Sequence, residues 1–84
     1  MQYFIEFSDG FTRSMKKLKK KDPGRFAQIQ KKLQSIILHP EHYKPLRNVL
    51  AGYRRIQFGP FVLIYTIRGN IIRIISLDRH DKAY

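Results

Sequence analysis

The sequence predicts an α+β fold, in which one small sheet, containing a three-stranded antiparallel meander, is covered on one face by a pair of helices. Three observations predict it. The chain has 84 residues, which is the size of a single domain spanning 1–84. Near the N-terminus, alternating apolar residues precede two segments with helical periodicity. The second half contains three short apolar runs separated by hairpin-sized turns.

The first predicted element is a strand over residues 2–7, and it leads directly into a helix. Apolar residues occupy every second position of the strand, namely Tyr3, Ile5 and Phe7. Ser8 or Asp9 is suited to cap a helix over roughly residues 9–20.

A second predicted helix over about residues 23–38 follows after a short connection. Asp22 is suited to its N-cap and Pro23 to its first helical position. Apolar residues recur at helical spacing in both helices, so each helix has one apolar stripe. The stripes consist of Phe11, Met15 and Leu18, and of Phe26, Ile29, Leu33, Ile36 and Ile37. Together the two segments predict an antiparallel helical hairpin.

The rest of the chain predicts a loop and a three-stranded antiparallel meander. His39-Pro40 ends the second helix, and the stretch PEHYKPLRN predicts a loop. The predicted strands are 50–58, 61–67 and 71–77, separated by Gly59-Pro60 and Arg68-Gly69-Asn70. The run FVLIY is apolar on both faces, so we expect the middle strand to be central. The N-terminal strand is then expected at the edge of the meander.

Positive charge is the strongest compositional signal. Lysine and arginine together number 17 against six acids, which gives a net charge of +11. No acid lies between Glu41 and Asp78. Such a field attracts nucleic acid, an anionic membrane surface or an acidic protein alike. Charge therefore indicates a polyanionic partner without selecting among the three.

Motifs of common enzyme classes and of exported proteins are absent from the sequence. There is no cysteine, and no phosphate-binding loop, zinc-protease or nucleophile-elbow motif. The histidines have no acidic or cysteine partner at metal-site spacing, so we expect no metal and no cofactor. The N-terminus lacks a basic leader with a long apolar run, and no apolar stretch could span a bilayer. We expect a cytoplasmic protein without a membrane partner.

Any chemistry would therefore come from basic and phenolic side chains around the sheet. Arg54 and Arg55 are adjacent on a strand, so their side chains point to opposite faces. Arg54 shares its face with Ile56 and Phe58. The alternation leaves open which arginine faces away from the helices, and a bulge near Gly59-Pro60 would re-aim the side chain.

Ordinary structural roles are also compatible with many of these residues. The lysine-rich stretch 16–21 is typical of a solvated helix face. Tyr65 is typical of a core position, and Arg68 and Arg73 are typical of surface charge.

Four short motifs follow one another along the second half of the chain. They are a leucine–basic pair, a glycine-led tyrosine–arginine strand, an apolar strand ending in tyrosine, and a closing basic segment with a tyrosine. Here these are Leu46-Arg47, Gly52-Tyr53-Arg54, Leu63-Ile64-Tyr65, and Asp78-Arg79-His80 up to Tyr84. In this order they resemble the RelE/ParE superfamily of bacterial and archaeal toxins. With the first strand and helix included, the resemblance covers nearly the whole chain and implies a RelE-like fold.

The resemblance implies a toxin of a type II toxin–antitoxin system. RelE-like members are ribosome-dependent endoribonucleases that cleave messenger RNA by attack of the ribose 2′-hydroxyl, without a metal. ParE-like members instead poison DNA gyrase. Members of both kinds are held inactive by an antitoxin. The implied partners are a cognate acidic RelB-like antitoxin, the ribosome and messenger RNA, with operator DNA contacted only through the antitoxin complex.

The resemblance also implies roles for individual residues. Arg54 matches the basic residue after the strand tyrosine and is expected to bind phosphate. Tyr84 matches the terminal tyrosine, which orients the nucleotide and exchanges a proton. Arg79 or His80 matches the preceding basic residue, as a phosphate-binding cation or as an acid or base. The predicted catalytic set is Arg54, Arg79, His80 and Tyr84, and the predicted RNA-binding set is Lys44, Arg47, Arg55 and Arg73.

One departure from the RelE-like pattern is Val62, which stands where relatives often carry an arginine. Loss of a cation there would lower the rate by roughly 10²–10³ if nothing replaced it. Arg55, Arg73 and Lys44 are the candidates to replace it. Three hypotheses therefore remain open: a ribosome-dependent endoribonuclease, a gyrase poison that acts by binding, and a non-catalytic basic nucleic-acid-binding module.

Overall fold

The computed structural model describes residues 2–42, 44–45 and 52–79. Within them it has two helices, α1 (Asp9–Lys21) and α2 (Pro23–Leu38). The strands in these residues are β1 (Phe4–Phe7), β2 (Lys44–Pro45), β3 (Tyr53–Phe58), β4 (Phe61–Arg68) and β5 (Ile71–Arg79). The α+β class and the order of the predicted elements are confirmed. Neither helix in the described part combines the length and apolarity that crossing a membrane requires.

The strands form one sheet in the order β1-β5-β4-β3-β2. Strands β3, β4 and β5 make the predicted antiparallel meander, and β4 lies in its middle. Strand β1 pairs with β5 in parallel. A parallel neighbour requires a long crossover connection, which the helical hairpin between β1 and the meander provides. The sheet is therefore mixed, with β1 at one edge.

Strand β2 differs from the prediction of a continuous loop in this stretch. Lys44 pairs with Arg55 and Pro45 with Arg54, in antiparallel register. The loop prediction is wrong for these two residues. Such a short pairing has no periodic signal in the sequence, and a proline is tolerated on an edge strand because its missing N–H is not needed there.

Both helices begin at the capping residues that the sequence predicts. The Ser8 hydroxyl oxygen accepts a hydrogen bond from the Phe11 N–H at 3.0 Å, and Asp22 Oδ1 accepts one from the Arg25 N–H at 3.1 Å. Pro23 follows at the first helical position, where its missing N–H costs no hydrogen bond. Ser8 also donates from its hydroxyl to the Ile75 carbonyl, which ties the start of α1 to β5.

The hydrophobic core lies between the helical hairpin and one face of the sheet. Its helical residues are Phe11, Met15, Leu18, Ile29 and Ile36. Its strand residues are Ile56, Phe58, Leu63, Tyr65, Ile72, Ile74 and Leu77. We call this side of the sheet the helix-side face and the opposite side the open face.

A β-bulge in β5 decides which side chains reach each face near its end. Ile64 pairs with Ser76 and Tyr65 with Ile74, so Ile75 is the extra residue. The bulge shifts the alternation by one position, and Leu77 consequently faces the core. The β3–β4 register is unbroken up to the Gly59-Pro60 turn, so these two strands have no bulge near that turn.

Candidate functional site

Three rows of side chains cross the open face from β3 to β5. In an antiparallel sheet, paired residues project to the same side, so the register defines the rows. They are Tyr53–Thr66–Arg73, Arg55–Ile64–Ser76 and Gln57–Val62–Asp78. The open face therefore carries two of the predicted RNA-binding arginines.

Arg55 and Arg73 lie in adjacent rows with β4 between them. The strand spacing and rise place their Cα atoms about 12 Å apart, so their long side chains can converge on one phosphodiester group. Arg73 Nη1 is 3.2 Å from Glu6 Oε1 of β1, and both side chains are about half exposed, at 47% and 51%. Such an exposed ion pair contributes little to stability and is easily exchanged for a phosphate. Lys44 pairs with Arg55 through the backbone.

Arg54 lies on the helix-side face, because Ile56 and Phe58 of the same alternation are in the core. Its Nη1 donates to the Glu41 carbonyl at 3.3 Å. Its cross-strand partner Tyr65 is fully buried and donates from its hydroxyl to the Pro40 carbonyl at 2.5 Å. Arg54 and Tyr65 therefore both hold the chain that leaves α2, and the prediction of Tyr65 as a core residue is confirmed.

Arg79 is also on the helix-side face, at the last position of β5. It pairs with Phe61, and its guanidinium carbon is 5.7 Å from the centroid of that ring. Beside it lie Lys17 and Lys21 of α1. Arg54 is two strands away and four positions further along the sheet, with core side chains in between. The structure therefore does not bring Arg54 and Arg79 together.

Several predicted site residues lie outside the described part of the chain. These are Arg47, His80 and Tyr84, and only the backbone of Lys44 is described. Their predicted roles, and those of Arg54 and Arg79, stay predictions.

Val62 occupies the third row of the open face and is 1% exposed. The place where RelE-like relatives often carry an arginine is therefore closed to solvent in this chain. Arg55 is its diagonal neighbour on β3, whereas Arg73 is two rows away. Of Arg55 and Arg73, Arg55 is thus the nearer substitute for the missing cation.

Hydroxyl groups of the open face were not assigned to the site from the sequence. Thr66 is buried and donates to the Gly52 carbonyl at 3.0 Å, and Tyr53 and Ser76 are half-buried in the same or the adjacent row. The sequence signal that could have identified them is strand alternation, which places them on the same face as Arg55 and Arg73.

Within the described ranges, no group of three or more histidine, aspartate or glutamate side chains is placed to hold a metal ion. Cations flanked by hydroxyls are suited to bind a phosphodiester.

Comparison with known proteins gives one family that matches almost the whole chain. The family is described as the ParE toxin of the type II toxin–antitoxin system parDE, and its profile matches residues 5–84. A protein of Methanocaldococcus jannaschii that bears the name of a toxin, RelE4, is 33% identical over 85 residues, which is 98% of this chain and 90% of that protein.

Solved structures with the same fold include two toxins. One is in the toxin–antitoxin complex RelBE2 of Mycobacterium tuberculosis, with a TM-score of 0.80 and 25% identity over 95% of this chain and 100% of that one. The other is the YoeB dimer of Staphylococcus aureus, with a TM-score of 0.79 and 26% identity over 95% and 99% of the two chains.

Proposed function

The chain belongs to the RelE/ParE superfamily of toxins of type II toxin–antitoxin systems, and we propose that it is a ribosome-dependent endoribonuclease that cleaves messenger RNA in the cytoplasm. The observation that carries this proposal is the open face. It holds Arg55 and Arg73 in adjacent rows, within reach of one phosphodiester and next to the strand pairing of Lys44. The RelE-type name of the relative from M. jannaschii agrees with the proposal.

The proposed reaction uses the nucleophile that RNA itself contains. The ribose 2′-oxygen attacks the neighbouring phosphorus and loses its proton, while the bond from phosphorus to the 5′-oxygen breaks and that oxygen takes up a proton. The products are a 2′,3′-cyclic phosphate and a free 5′-hydroxyl. Arginines promote this step because they stay protonated and stabilise the extra negative charge on the pentavalent phosphorus. The two proton transfers are assigned to His80 and Tyr84 by the resemblance alone.

We assign the principal phosphate contact to Arg55. The resemblance matched Arg54 to this role, but Arg54 is on the helix-side face and donates to the Glu41 carbonyl. Arg55 is on the open face beside the position of Val62, where an arginine is missing. Arg73 is the second contact, once phosphate replaces Glu6 as its partner.

Mapping of messenger 5′ ends after induction in a bacterial host tests the proposal. The parent chain is expected to stop growth and to produce cuts at fixed positions within codons. Arg55→Gln is expected to lower the cleavage rate by roughly 10²–10³. Arg13→Gln removes the same charge from the exposed side of α1 and should leave cleavage unchanged. Growth arrest with intact messages would overturn the proposal.

A gyrase poison is the second candidate, and a specific observation favours it. Val62 is buried where endoribonucleases of the family often carry an arginine, and the matching family profile is that of ParE. DNA breaks without message cleavage, insensitive to Arg55→Gln, would support this alternative.

We further propose that an acidic antitoxin segment covers an apolar groove between α1, α2 and β1, which we call the hairpin groove. Its volume is about 320 Å³, and Phe11, Met15 and Phe26 contribute to its walls. Phe7 stacks on Phe11 at 5.4 Å between ring centroids and remains 46% exposed. Lys16 and Lys19 also line it. An amphipathic segment with acids along its border fits this combination of apolar walls and basic rim.

Two substitutions on β1 test this docking site. Phe7→Lys places a charge in the hairpin groove. Phe4→Lys makes the same change on the other face of the same strand, at a side chain that is 57% exposed against 46% for Phe7. The test is co-purification of each variant with a small acidic protein encoded next to the gene for this chain. The Phe7→Lys variant should no longer bind that protein, whereas the Phe4→Lys variant should still bind it. Equal retention by both variants would contradict the site.

A further inference from the structure

Two positively charged clefts lie at one end of the molecule. The first, of about 500 Å³, runs between α2 and β3 and is lined by the cations Arg25, Lys31 and Lys32. The second, of about 350 Å³, lies between α1 and the adjoining ends of β4 and β5 and is lined by the cations Lys17, Lys21 and Arg79. Phe58 and Phe61, which flank the turn from β3 to β4, each form part of one cleft.

The Gly59-Pro60 turn lies between the two clefts and is exposed. The guanidinium of Arg25, from α2, packs closely against this turn. A Cβ atom at Gly59 would be only 2.9 Å from both of its terminal nitrogens. Gly59 also has a φ of 53°, which favours glycine. The result is an exposed turn with cations on two sides.

Few acidic side chains lie beside these cations in the part of the chain that the structure describes. Among the described lining residues, the first cleft has no acid and the second has Asp78 alone. Asp22, which lies between the helices, accepts the capping hydrogen bond of α2. Lys17, Lys21 and Arg79 form no ion pair within the described residues. A surface of this kind attracts a polyanion with negative charge on both sides of a shallow depression.

We propose that this end of the molecule binds the phosphate backbones of double-stranded RNA, with the Gly59-Pro60 turn directed into the minor groove. That groove of A-form RNA is wide and shallow, with phosphates along both of its sides, whereas the major groove is too narrow for side chains. Cations on both sides of a turn can therefore contact both strands. Single-stranded RNA is usually bound by exposed aromatic rings. Here Phe58 is buried and Phe61 is half-buried beneath Arg79, so duplex is the better fit.

This inference rests on the proposed function only in taking RNA as the partner, because the duplex-binding surface is apart from the open face and performs no chemistry. The test uses the purified full chain and the fluorescence anisotropy of a labelled RNA duplex of roughly 16 base pairs. The double variant Lys17→Gln/Arg25→Gln removes one cation from each cleft. The control Arg13→Gln/Lys20→Gln removes the same charge from α1 positions that line neither cleft.

In a plot of log affinity against log salt, the negative slope of the cleft variant is expected to be shallower than that of the parent, by about 0.9 for each lost phosphate contact. That is a loss of roughly eightfold per contact at 0.1 M salt if the variants bind equally at 1 M. The control should keep the parent slope. Circular dichroism and the Tm check that both variants are folded.

Three results would overturn the inference. The first is an equal loss of duplex affinity in the control variant, and the second is an equal loss of affinity for the single strand of the same sequence. The third is displacement of the duplex by polyglutamate at a lower concentration of charge than unlabelled RNA requires. The last would identify an acidic protein segment as the partner. Cleavage by the Arg55→Gln variant has no bearing on duplex binding, so failure of the proposed function and failure of this inference are distinguishable.

Discussion

At the scale of single residues, neighbouring side chains of the same type have different roles because strand alternation separates them. Arg54 and Arg55 are adjacent in the chain, yet one donates to the Glu41 carbonyl on the helix-side face and the other lies on the open face. Burial of Ile56 and Phe58 decides which is which. A basic residue in a strand therefore has to be assigned to a face before it is assigned to chemistry.

The hydrogen bond from Tyr65 to Pro40 gives a prediction about stability. Tyr65→Phe removes only a hydroxyl, but it leaves the Pro40 carbonyl without that donor in a buried place. We expect the free energy of unfolding to fall by about 1–3 kcal/mol. Urea denaturation followed by circular dichroism measures it.

Tyr3→Phe is the matched control, since Tyr3 packs against the core and its hydroxyl has no hydrogen bond within the described residues. Its unfolding midpoint should remain near that of the parent chain. If the two variants lose the same stability, the hydrogen bond to Pro40 is not the cause.

At the scale of elements, Ser8 connects the first helix to the bulge of the last strand. The Ser8 hydroxyl accepts a hydrogen bond from the Phe11 N–H. It also donates a hydrogen bond to the carbonyl of Ile75, the extra residue of the bulge. The packing of α1 on β5 and the shift of alternation in β5 are therefore joined at one side chain.

Ser8→Ala is expected to destabilise the protein more than loss of an ordinary cap. Removing a cap costs about 1 kcal/mol, and the unpaired Ile75 carbonyl adds about 1 kcal/mol more. Asp22→Ala removes the exposed cap of α2 without a second bond of this kind and serves as the comparison. Equal losses in urea denaturation would show that the bond to Ile75 contributes nothing.

The sequence predicts the elements with regular periodicity and misses those set by tertiary pairing. Both helices begin at their capping residues, and the apolar run of β4 correctly predicts a central strand. The bulge was not predictable because isoleucine stands at both parities of β5, so alternation does not show where the register shifts. Strand β2 is two residues long, too short for any periodic signal.

The candidate site was predictable in composition but not in arrangement. Strand alternation shows that Arg54 and Arg55 diverge, but only the position of the helices identifies the open face. The closeness of Arg55 to Arg73 depends on the registers of two strand pairs, which the sequence does not specify. Placing Arg79 on the helix-side face requires the bulge at Ile75.

At the scale of the whole molecule, positive charge in the described part of the chain is spread over several surfaces rather than gathered at one site. The open face, the rim of the hairpin groove and the two clefts at the Gly59-Pro60 turn each contain cations. A family whose members are held in toxin–antitoxin complexes, such as RelBE2, offers a reason. Under the function we propose, separate surfaces allow the antitoxin and RNA to be recognised by different parts of one small domain, at the expense of repulsion in the free chain.

That repulsion predicts that the free protein becomes more stable as salt is added. With a net charge of +11, most charge pairs are repulsive, and each pair at 10 Å contributes about 0.4 kcal/mol in unscreened water. Raising sodium chloride from about 20 mM to about 300 mM shortens the screening length from about 20 Å to about 6 Å. We expect the free energy of unfolding to rise by on the order of 1 kcal/mol, because the compact state has the closer charges. The free energy of unfolding of the double variant Arg13→Gln/Lys20→Gln should rise less over the same salt range, since this variant has fewer charges to screen. A parent chain whose urea midpoint stays constant or falls with salt would mean that attractive pairs, and not repulsion, dominate the folded state.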